Sequence, residues 1–446
     1  MACMPVRRRF GSKPRAKPAP RCRFAAARRR LLDLSLLAPV RYSDDQPERF
    51  LVHRWTAAAL TGHASDAERT AAHRAAAGFW RWRAESVRQS REQEIADWLE
   101  IRHHLHELGD LAGLHEVSGH IILRLETWGA WEWEERLLHE TLAWMPPESA
   151  EAAACLFHLG NVAFSRGDHD AALDGYRKAL AIDEQLGNRE GMAAVYHQLG
   201  MIAEVRGALD DAFDWYRKSL AIDEQLGNRK GIAAAYHQLG RIAEECDALD
   251  HARDWYRKSL AIDEQLGDRK GIAAAYHRLG GIAEERGEFD DALDWYRKSL
   301  AINEQLGNRV RIAAAYHQLG SVAQKRGAPD AALDWYRKSL AIDEQLGNRA
   351  GIALSLGQIG ELLTETGRVA EAVPLTVRSL TLHLGLQSPN ARIDLHWLSR
   401  QRRALGGDAF GAVVGRLCDA EDTAKLLALI DRLEAAQPDA GTAPSA

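Results

Sequence analysis

Tyr-His-Gln-Leu-Gly stands at residues 236–240 of this chain and Asp-Trp-Tyr-Arg-Lys-Ser-Leu at 254–260, and both phrases recur at one fixed interval. The first has copies at 196–200, 276–280 (with Arg for Gln) and 316–320, and the second at 214–220, 294–300 and 334–340. One glycine per unit marks six units: Gly160, Gly200, Gly240, Gly280, Gly320 and Gly360. A fixed period in the range of roughly 20–50 residues is the signature of a repeat architecture, so the repeat decides the fold.

The unit at 229–268 predicts two helices. Apolar residues recur at intervals of four and three along the first helix, as on the packing face of an amphipathic helix, at Ile232, Tyr236, Leu239 and Ile242. Gly240 leaves room for a neighbouring helix to approach closely. The second helix is expected to carry an inward face made of Ala252, Tyr256, Ser259 and Leu260.

Local signals predict where these helices begin and end. Asp250 is suited to cap the second helix, Gly267 to end it in a left-handed conformation, and Asp268 to cap the next first helix. Each unit is therefore a helical hairpin, and a single hairpin cannot bury its apolar face alone. Stacking supplies the missing contacts, so we predict an all-α fold, a right-handed solenoid of helix-turn-helix repeats.

Three positions of the unit resemble the tetratricopeptide repeat signature over about residues 151–386. They are the first-helix glycine, the small residue that opens the second helix, and the aromatic residue four positions later (Tyr176, Tyr216, Tyr256, Tyr296 and Tyr336). The 40-residue unit is similar to the longer-helix variants of kinesin light chains and cell-polarity adaptors, and the proline that often closes the repeat is missing. The resemblance implies a non-catalytic protein that binds a protein or peptide segment in a concave groove.

The segment 1–30 differs from the rest of the chain in charge. It contains eleven Arg or Lys and no acidic residue, so the chain's net charge of −5 leaves −16 for residues 31–446. Four prolines accompany this charge, and a disordered basic arm is predicted at 1–30. Three interpretations stay open: an arm that binds nucleic acid or an anionic surface, an arm that docks on the protein's own acidic body, and a solvated tail.

A small helical module is predicted at 31–88. Leu-Ser-Leu-Leu-Ala-Pro at 34–39 and Phe-Leu-Val-His-Arg-Trp at 50–55 resemble the winged-helix segment of STAND-type signalling ATPases, which often end in repeats. The chain has no G-x-x-x-x-G-K-[ST] sequence, because Gly11-Ser12-Lys13 lacks the first glycine and the following hydroxyl. The resemblance implies a sensor without its nucleotide-binding core, whose partner is a separate ATPase.

The remaining boundaries follow from the fading of the repeat. Degenerate helical repeats are predicted at 89–150, six full repeats at 151–390, a helical cap at 391–436 and a disordered tail at 437–446. A solenoid needs atypical ends to keep its last apolar face out of water, and Pro374 inside the sixth unit is suited to such an end.

No pattern in the sequence predicts catalysis, a cofactor or a metal. His115 and His120 flank a Glu as in a zinc-protease helix, but they are five residues apart and lie about 140° apart around a helix, so they cannot share one ion. No apolar run has the length of a membrane span. The five cysteines are odd in number and scattered, which favours a cytoplasmic protein.

A row of polar residues on the first helices predicts the ligand groove. His197, His237, His277 and His317 occupy one position in four units, and two interpretations stay open, a hydrogen-bonding polar face and a ligand-facing row. Helical spacing extends the row to the predicted groove: His197, Met201, Glu204, His237, Arg241, Glu244, Glu245, His277, Glu284, Glu285, His317, Ser321, Gln324 and Lys325. The accompanying tryptophans are expected to belong to the inter-repeat core.

Differences between units concentrate on this row. Met201, Arg241, Gly281 and Ser321 differ in every copy of an otherwise similar unit, which fits either a surface tuned to a partner or drift at exposed sites. The glutamates make the middle of the groove acidic and favour a ligand with Lys or Arg. Residues 1–30 of the chain itself are a candidate for such a ligand, and nucleic-acid binding through this arm is a rival hypothesis.

Overall fold

The computed structural model describes residues 37–40, 49–52, 65–86 and 90–436. The predicted arm at 1–30 and tail at 437–446 lie outside the described residues. The chain divides into two compact bodies, Met1–Pro146 and Pro147–Ala446. None of the described helices combines the length and the apolar character that crossing a bilayer requires.

The N-terminal body contains a strand pair followed by helices. β1 (Leu37–Val40) pairs antiparallel with β2 (Arg49–Val52), with Leu37 opposite Val52. The segment 31–88, expected to be helical, therefore contains an antiparallel strand pair, because periodicity cannot assign apolar runs this short to helix or strand. The four helices are α1 (Asp66–Ser86), α2 (Arg91–Glu107), α3 (Leu111–Trp128) and α4 (Trp131–Trp144).

Six helical hairpins begin the C-terminal body, and their first and second helices alternate along the chain. These are α5 (Ala150–Ser165) with α6 (His169–Leu186), α7 (Arg189–Val205) with α8 (Leu209–Leu226), α9 (Arg229–Glu245) with α10 (Leu249–Leu266), α11 (Arg269–Glu285) with α12 (Phe289–Leu306), α13 (Arg309–Lys325) with α14 (Pro329–Leu346), and α15 (Arg349–Glu365) with α16 (Val369–Gly385). Each hairpin packs on the next, which confirms the predicted all-α repeat solenoid.

Three further helices follow the hairpins: α17 (Ala391–Leu405), α18 (Gly407–Val414) and α19 (Ala420–Ala436). Their apolar side chains bury the outer face of the sixth unit, where Val373, Val377 and Leu380 pack with Leu398 and Phe410. The end of the solenoid is thereby removed from water.

Each of the first five hairpins closes around a tyrosine of its second helix. The ring of Tyr256 is fully buried and lies against Gly240, where an added Cβ would stand 2.7 Å from the ring carbon Cε1. Only glycine allows this approach, as the sequence predicted for the position. The sixth unit has the smaller Thr376 against Gly360.

The helix ends agree with two of the three predicted signals. Gly267 ends α10 with φ +69°, and Asp268 caps α11 by accepting the amide hydrogens of Lys270 and Gly271. The prediction for Asp250 is wrong. The turn before α10 is closed by the main-chain bond from Ala248 N to Ala243 O, and Asp250 instead pairs at 2.5 Å with Arg286 of the next unit.

Apolar clusters join successive units. One cluster contains Tyr256 and Leu260 of the third unit together with Leu279 and Ile282 of the fourth. Trp255 stacks on Tyr236 with ring centroids 5.4 Å apart and packs against this cluster and the preceding one. The tryptophans thus contribute to inter-repeat packing, as predicted.

Candidate functional site

The four histidines of the predicted groove are packing groups with one edge open. Each ring is partly buried and leans on the tyrosine of its own unit at centroid distances of 5.2 to 5.4 Å. Burial lowers the pKa of three of them to about 4, in His237, His277 and His317. These three histidines are therefore neutral at physiological pH, and each packs on its tyrosine while staying partly exposed.

The glutamates two turns further along also contact the tyrosines. Glu204, Glu244 and Glu284 accept hydrogen bonds from the phenols of Tyr216, Tyr256 and Tyr296 at 3.0, 2.7 and 2.9 Å. Gln324 accepts the equivalent bond from Tyr336 at 3.0 Å. The predicted groove acids thus hold the buried tyrosines in place. The constant separation of each pair along the chain was present in the sequence and could have revealed this role.

Each of these glutamates also receives a cation from the next unit, but from a different position each time. Arg241 pairs with Glu204, and Arg278 Nη1 lies 3.5 Å from the Glu244 carboxylate. Lys325 Nζ lies 2.8 Å from Glu284 Oε1. Ser321 donates a second hydrogen bond to that same oxygen at 2.6 Å. The acidic character predicted for this part of the groove is largely neutralised within the protein.

These ion pairs explain why the same position of the first helix holds different residues in successive units. Comparing the residues at one position alone could not show this. Gly281 has no side chain to offer Glu244, and Arg278 supplies the cation from a position where sister units have Gln. The differences are coordinated between neighbouring units. Glu245 and Glu285, in contrast, are exposed, and neither forms an ion pair in the described part of the chain.

Two clefts lie between successive first helices of the solenoid. One has a volume of about 590 Å³ and is bordered by His197, Ser219 and Asp223. The next, of about 420 Å³, is bordered by the equivalent His237, Ser259 and Asp263, and His197 and Ala234 line both. The structure brings His197 and His237 to these clefts, while Glu204 and Glu244 lie outside their linings.

A set of polar side chains that the sequence analysis did not single out lies in these clefts. Asp223, 4% exposed, accepts a hydrogen bond from Asn228 Nδ2 at 2.7 Å and lies close against Gly231. Asp183–Asn188 and Asp343–Asn348 repeat the arrangement. In the unit where Arg311 replaces this glycine, Asn303 replaces the aspartate and donates to the Ser299 carbonyl instead.

Comparison with known families agrees with the geometry of the hairpins. The model described as the MalT-like TPR region matches residues 129–305, and a tetratricopeptide repeat model matches residues 311–384. The chain is a tetratricopeptide repeat protein. The first match begins at Gly129, ahead of the six full units, so the family likeness extends into the segment predicted to hold degenerate repeats.

Solved structures are similar in fold at low sequence identity. A signal transduction ATPase with numerous domains (STAND) protein with a tetratricopeptide repeat sensor, from Pyrococcus horikoshii, matches with TM-score 0.61 and 12% identity. The match covers 91% of this chain and 57% of that protein. BtubC from P. vanneervenii has TM-score 0.44 and 18% identity over 49% of this chain and 90% of its own. No curated protein matches the sequence.

The described residues contain no group of three or more His, Cys, Asp or Glu arranged to hold a metal ion. In the segment that resembled a zinc-protease helix, the ring of His120 packs edge-on against Trp98 at 5.0 Å. Tetratricopeptide repeat proteins are typically non-catalytic, and their repeats generally mediate protein–protein interaction.

Proposed function

We propose that this protein is a non-catalytic binding protein whose groove, defined by the histidine row and the two clefts, receives a segment of another protein. The supporting observation is the pair of equivalent clefts, of about 590 and 420 Å³, at one interval of the repeat. A ligand in extended conformation is suited to a surface on which the same cleft recurs, because it presents side chains at regular intervals. Adjacent hairpins hold the cleft walls rigidly, which reduces the entropic cost of binding.

Fewer acidic residues of the groove are available to a basic ligand than the sequence predicts. Glu204, Glu244 and Glu284 already have cationic partners inside the protein. Glu245 and Glu285 stay exposed and available to Lys or Arg. The 1–30 arm, with eleven basic residues, is an intramolecular competitor in this proposal. Deleting 1–30 should raise the affinity for an external ligand, and unchanged affinity would count against self-docking.

A second proposal concerns the signalling system to which this protein belongs. The fold likeness to a STAND protein with a tetratricopeptide repeat sensor extends over 91% of this chain. We propose on this basis that the chain serves as the sensor or regulatory part of a signalling ATPase system, with the ATPase on another chain. Co-purification of an ATPase from the source cells would support it. The scattered free thiols of Cys155, Cys246 and Cys418 fit a reducing cytoplasm as its location.

The binding proposal is tested by filling the clefts. Ala234 is exposed and lines both clefts, so Ala234→Trp occupies them without entering the packed core. Ala221 is equally exposed on α8 and lines neither, so Ala221→Trp is the matched control with the same change in size and helix propensity. Tagged wild type and both variants are used to capture proteins from cell extract, and the captured proteins are quantified by mass spectrometry.

A partner of the groove should be lost with Ala234→Trp and kept with Ala221→Trp. At a hot spot such a loss corresponds to about tenfold or more in affinity. Equal capture by both variants would show that the clefts are not where the protein binds its partners.

A further inference from the structure

One difference between the cleft of the third and fourth units and its sisters concerns the residue that bonds the buried aspartate. Asp268 stands where the other units have Asn188, Asn228, Asn308 and Asn348. With Asp in place of Asn, α11 is still capped, because Asp268 Oδ1 accepts hydrogen bonds from the amides of Lys270 and Gly271 at 3.0 and 3.2 Å. The substitution removes the amide group that, in three sister units, donates to the neighbouring aspartate.

That loss leaves a buried carboxylate incompletely bonded. Asp263 is 6% exposed, and Ser259 Oγ donates to its Oδ2 at 3.3 Å. In Asp183, Asp223 and Asp343, the other oxygen is bonded by an asparagine Nδ2 at 2.7 to 2.8 Å. The equivalent oxygen of Asp263 has no such donor. This oxygen has no donor among the described residues, and because Asp263 lines the cleft it can accept a hydrogen bond from a group that enters there.

The groups around Asp263 favour the binding of a positively charged hydrogen-bond donor. Burial, and then the neighbouring Asp268 carboxylate, raise the pKa of Asp263 to about 6, so the Asp263 carboxyl is still mainly ionised at neutral pH. Lys230 and Lys270 line the same cleft but are exposed, and neither forms an ion pair with these carboxylates within the described residues. The cleft itself is open, with a volume of about 420 Å³ beside His197 and His237.

We propose that this cleft binds the positively charged end of an arginine or lysine side chain of the protein ligand, with Asp263 and Asp268 as its acceptors. The inference rests on the proposed function of the groove and adds, to the exposed Glu245 and Glu285, one cleft that favours a basic side chain. A guanidinium or ammonium group supplies the missing donor and separates the two negative charges. The sister cleft at Asp223 has its own amide donor and should not share this preference.

The sister units provide the variants for the test. Asp268→Asn restores the arrangement of the other units, and Asn228→Asp transfers the acidic pair to the preceding cleft. The probe is a blocked peptide, Gly-Ser-Ala-Arg-Ala-Ser-Gly, and its neutral counterpart has citrulline in place of arginine. A third peptide carries lysine. Binding to the full 446-residue chain is measured by titration calorimetry, and unfolding midpoints check that the variants fold.

The arginine peptide should bind the wild type at least about tenfold more tightly than the citrulline peptide. Asp268→Asn should abolish this difference, and Asn228→Asp should raise the stoichiometry from one site to two. Equal affinity for arginine and citrulline, or an arginine preference that survives Asp268→Asn, would overturn the assignment. So would an Asn228→Asp chain that folds and still binds one peptide.

These outcomes are distinguishable from those of the cleft-filling experiment. If Ala234→Trp removes captured proteins while Asp268→Asn keeps the arginine preference, the groove function holds and this cleft is wrongly assigned. If the peptides behave as expected while Ala234→Trp captures as the wild type does, the cleft binds basic side chains but is not the route to protein partners.

Discussion

Gly280 and Gly281 are adjacent residues of α11 with different surroundings. A Cβ on Gly280 would lie 2.7 Å from Tyr296 Cε1, inside the packed hairpin. A Cβ on Gly281 would meet only the Tyr296 phenol oxygen at 3.7 Å, an ordinary contact. The same substitution at neighbouring positions therefore separates the requirement for close packing from the general effect of glycine in a helix.

Gly280→Ala should destabilise the protein by about 1–3 kcal/mol, because the tyrosine ring must shift within a packed core. Gly281→Ala should be neutral or stabilise by up to about 1 kcal/mol, since alanine is the better helix former. Both free energies of unfolding are measured by denaturant titration. The same loss at both positions would show that helix conformation, not the tyrosine contact, controls this site.

The tyrosine at the centre of each unit links residue-scale packing to the groove. Its ring requires the glycine, its phenol requires the glutamate, and the histidine packs on its edge. The sequence predicted that the glycine leaves room for a close approach, but it did not identify the tyrosine as the group that fills this room. The histidine contact was not predicted, because exposed and half-buried positions have the same helical spacing.

At the scale of the helices, neighbouring units are matched through ion pairs. Glu204 is only 9% exposed and has two partners, the Tyr216 phenol and Arg241 of the next unit. Because a nearly buried carboxylate that loses its cation keeps the cost of its burial, this pair should matter more than an exposed pair on a helix surface.

Arg241→Met, which introduces the residue found at Met201 of the preceding unit, should destabilise the protein by about 1–3 kcal/mol. In the Glu204→Gln background, where no charge needs pairing, the same change should cost at least about 1 kcal/mol less. Denaturant titration of the four proteins gives this coupling. Identical costs in the two backgrounds would mean that the pair contributes nothing to stacking.

Helix termini show which local signals are decisive. Gly267 and Asp268 act as their types predict, since a left-handed residue and a side-chain acceptor are needed at those points. Asp250 does not cap α10, because the N-cap position is Ala248 and Asp250 lies inside the first turn, where its carboxylate reaches Arg286. Asp168, which stands at the equivalent N-cap of α6, does cap its helix by accepting the amide hydrogen of Ala171.

At the scale of the molecule, the C-terminal body depends on its cap. Val373, Val377 and Leu380 of the sixth unit are buried by α17, α18 and α19. His383 and Asp394 join the unit to the cap by a buried contact of 2.7 Å, with Ser379 bonded to the same carboxylate. In the clefts a serine, an aspartate and an asparagine are bonded to one another. In the sixth unit Ser379 and His383 bond Asp394 of the cap instead.

Deleting residues 391–446 should lower the unfolding midpoint and make the protein bind hydrophobic dyes, because each apolar side chain left exposed loses about 1.5–3 kcal/mol of burial. Deleting only 437–446 is the matched control and should leave both properties unchanged. Calorimetry and dye fluorescence measure the effects. A wild-type midpoint in the longer deletion would show that the sixth unit needs no cover.

The sequence alone determined the repeat, the two helices of each unit and the close helix approach at the glycine, because these depend on spacing within one unit and the same spacing recurs in every copy. Only the tertiary structure decided which polar residues face a neighbour and which line a cleft. Glu244 and Arg278 meet across two units, and Asp263 lacks the amide donor of its sister residues because Asp268 stands at the start of the following helix. Such facts depend on the rotation of one hairpin against the next, which no single unit of sequence contains.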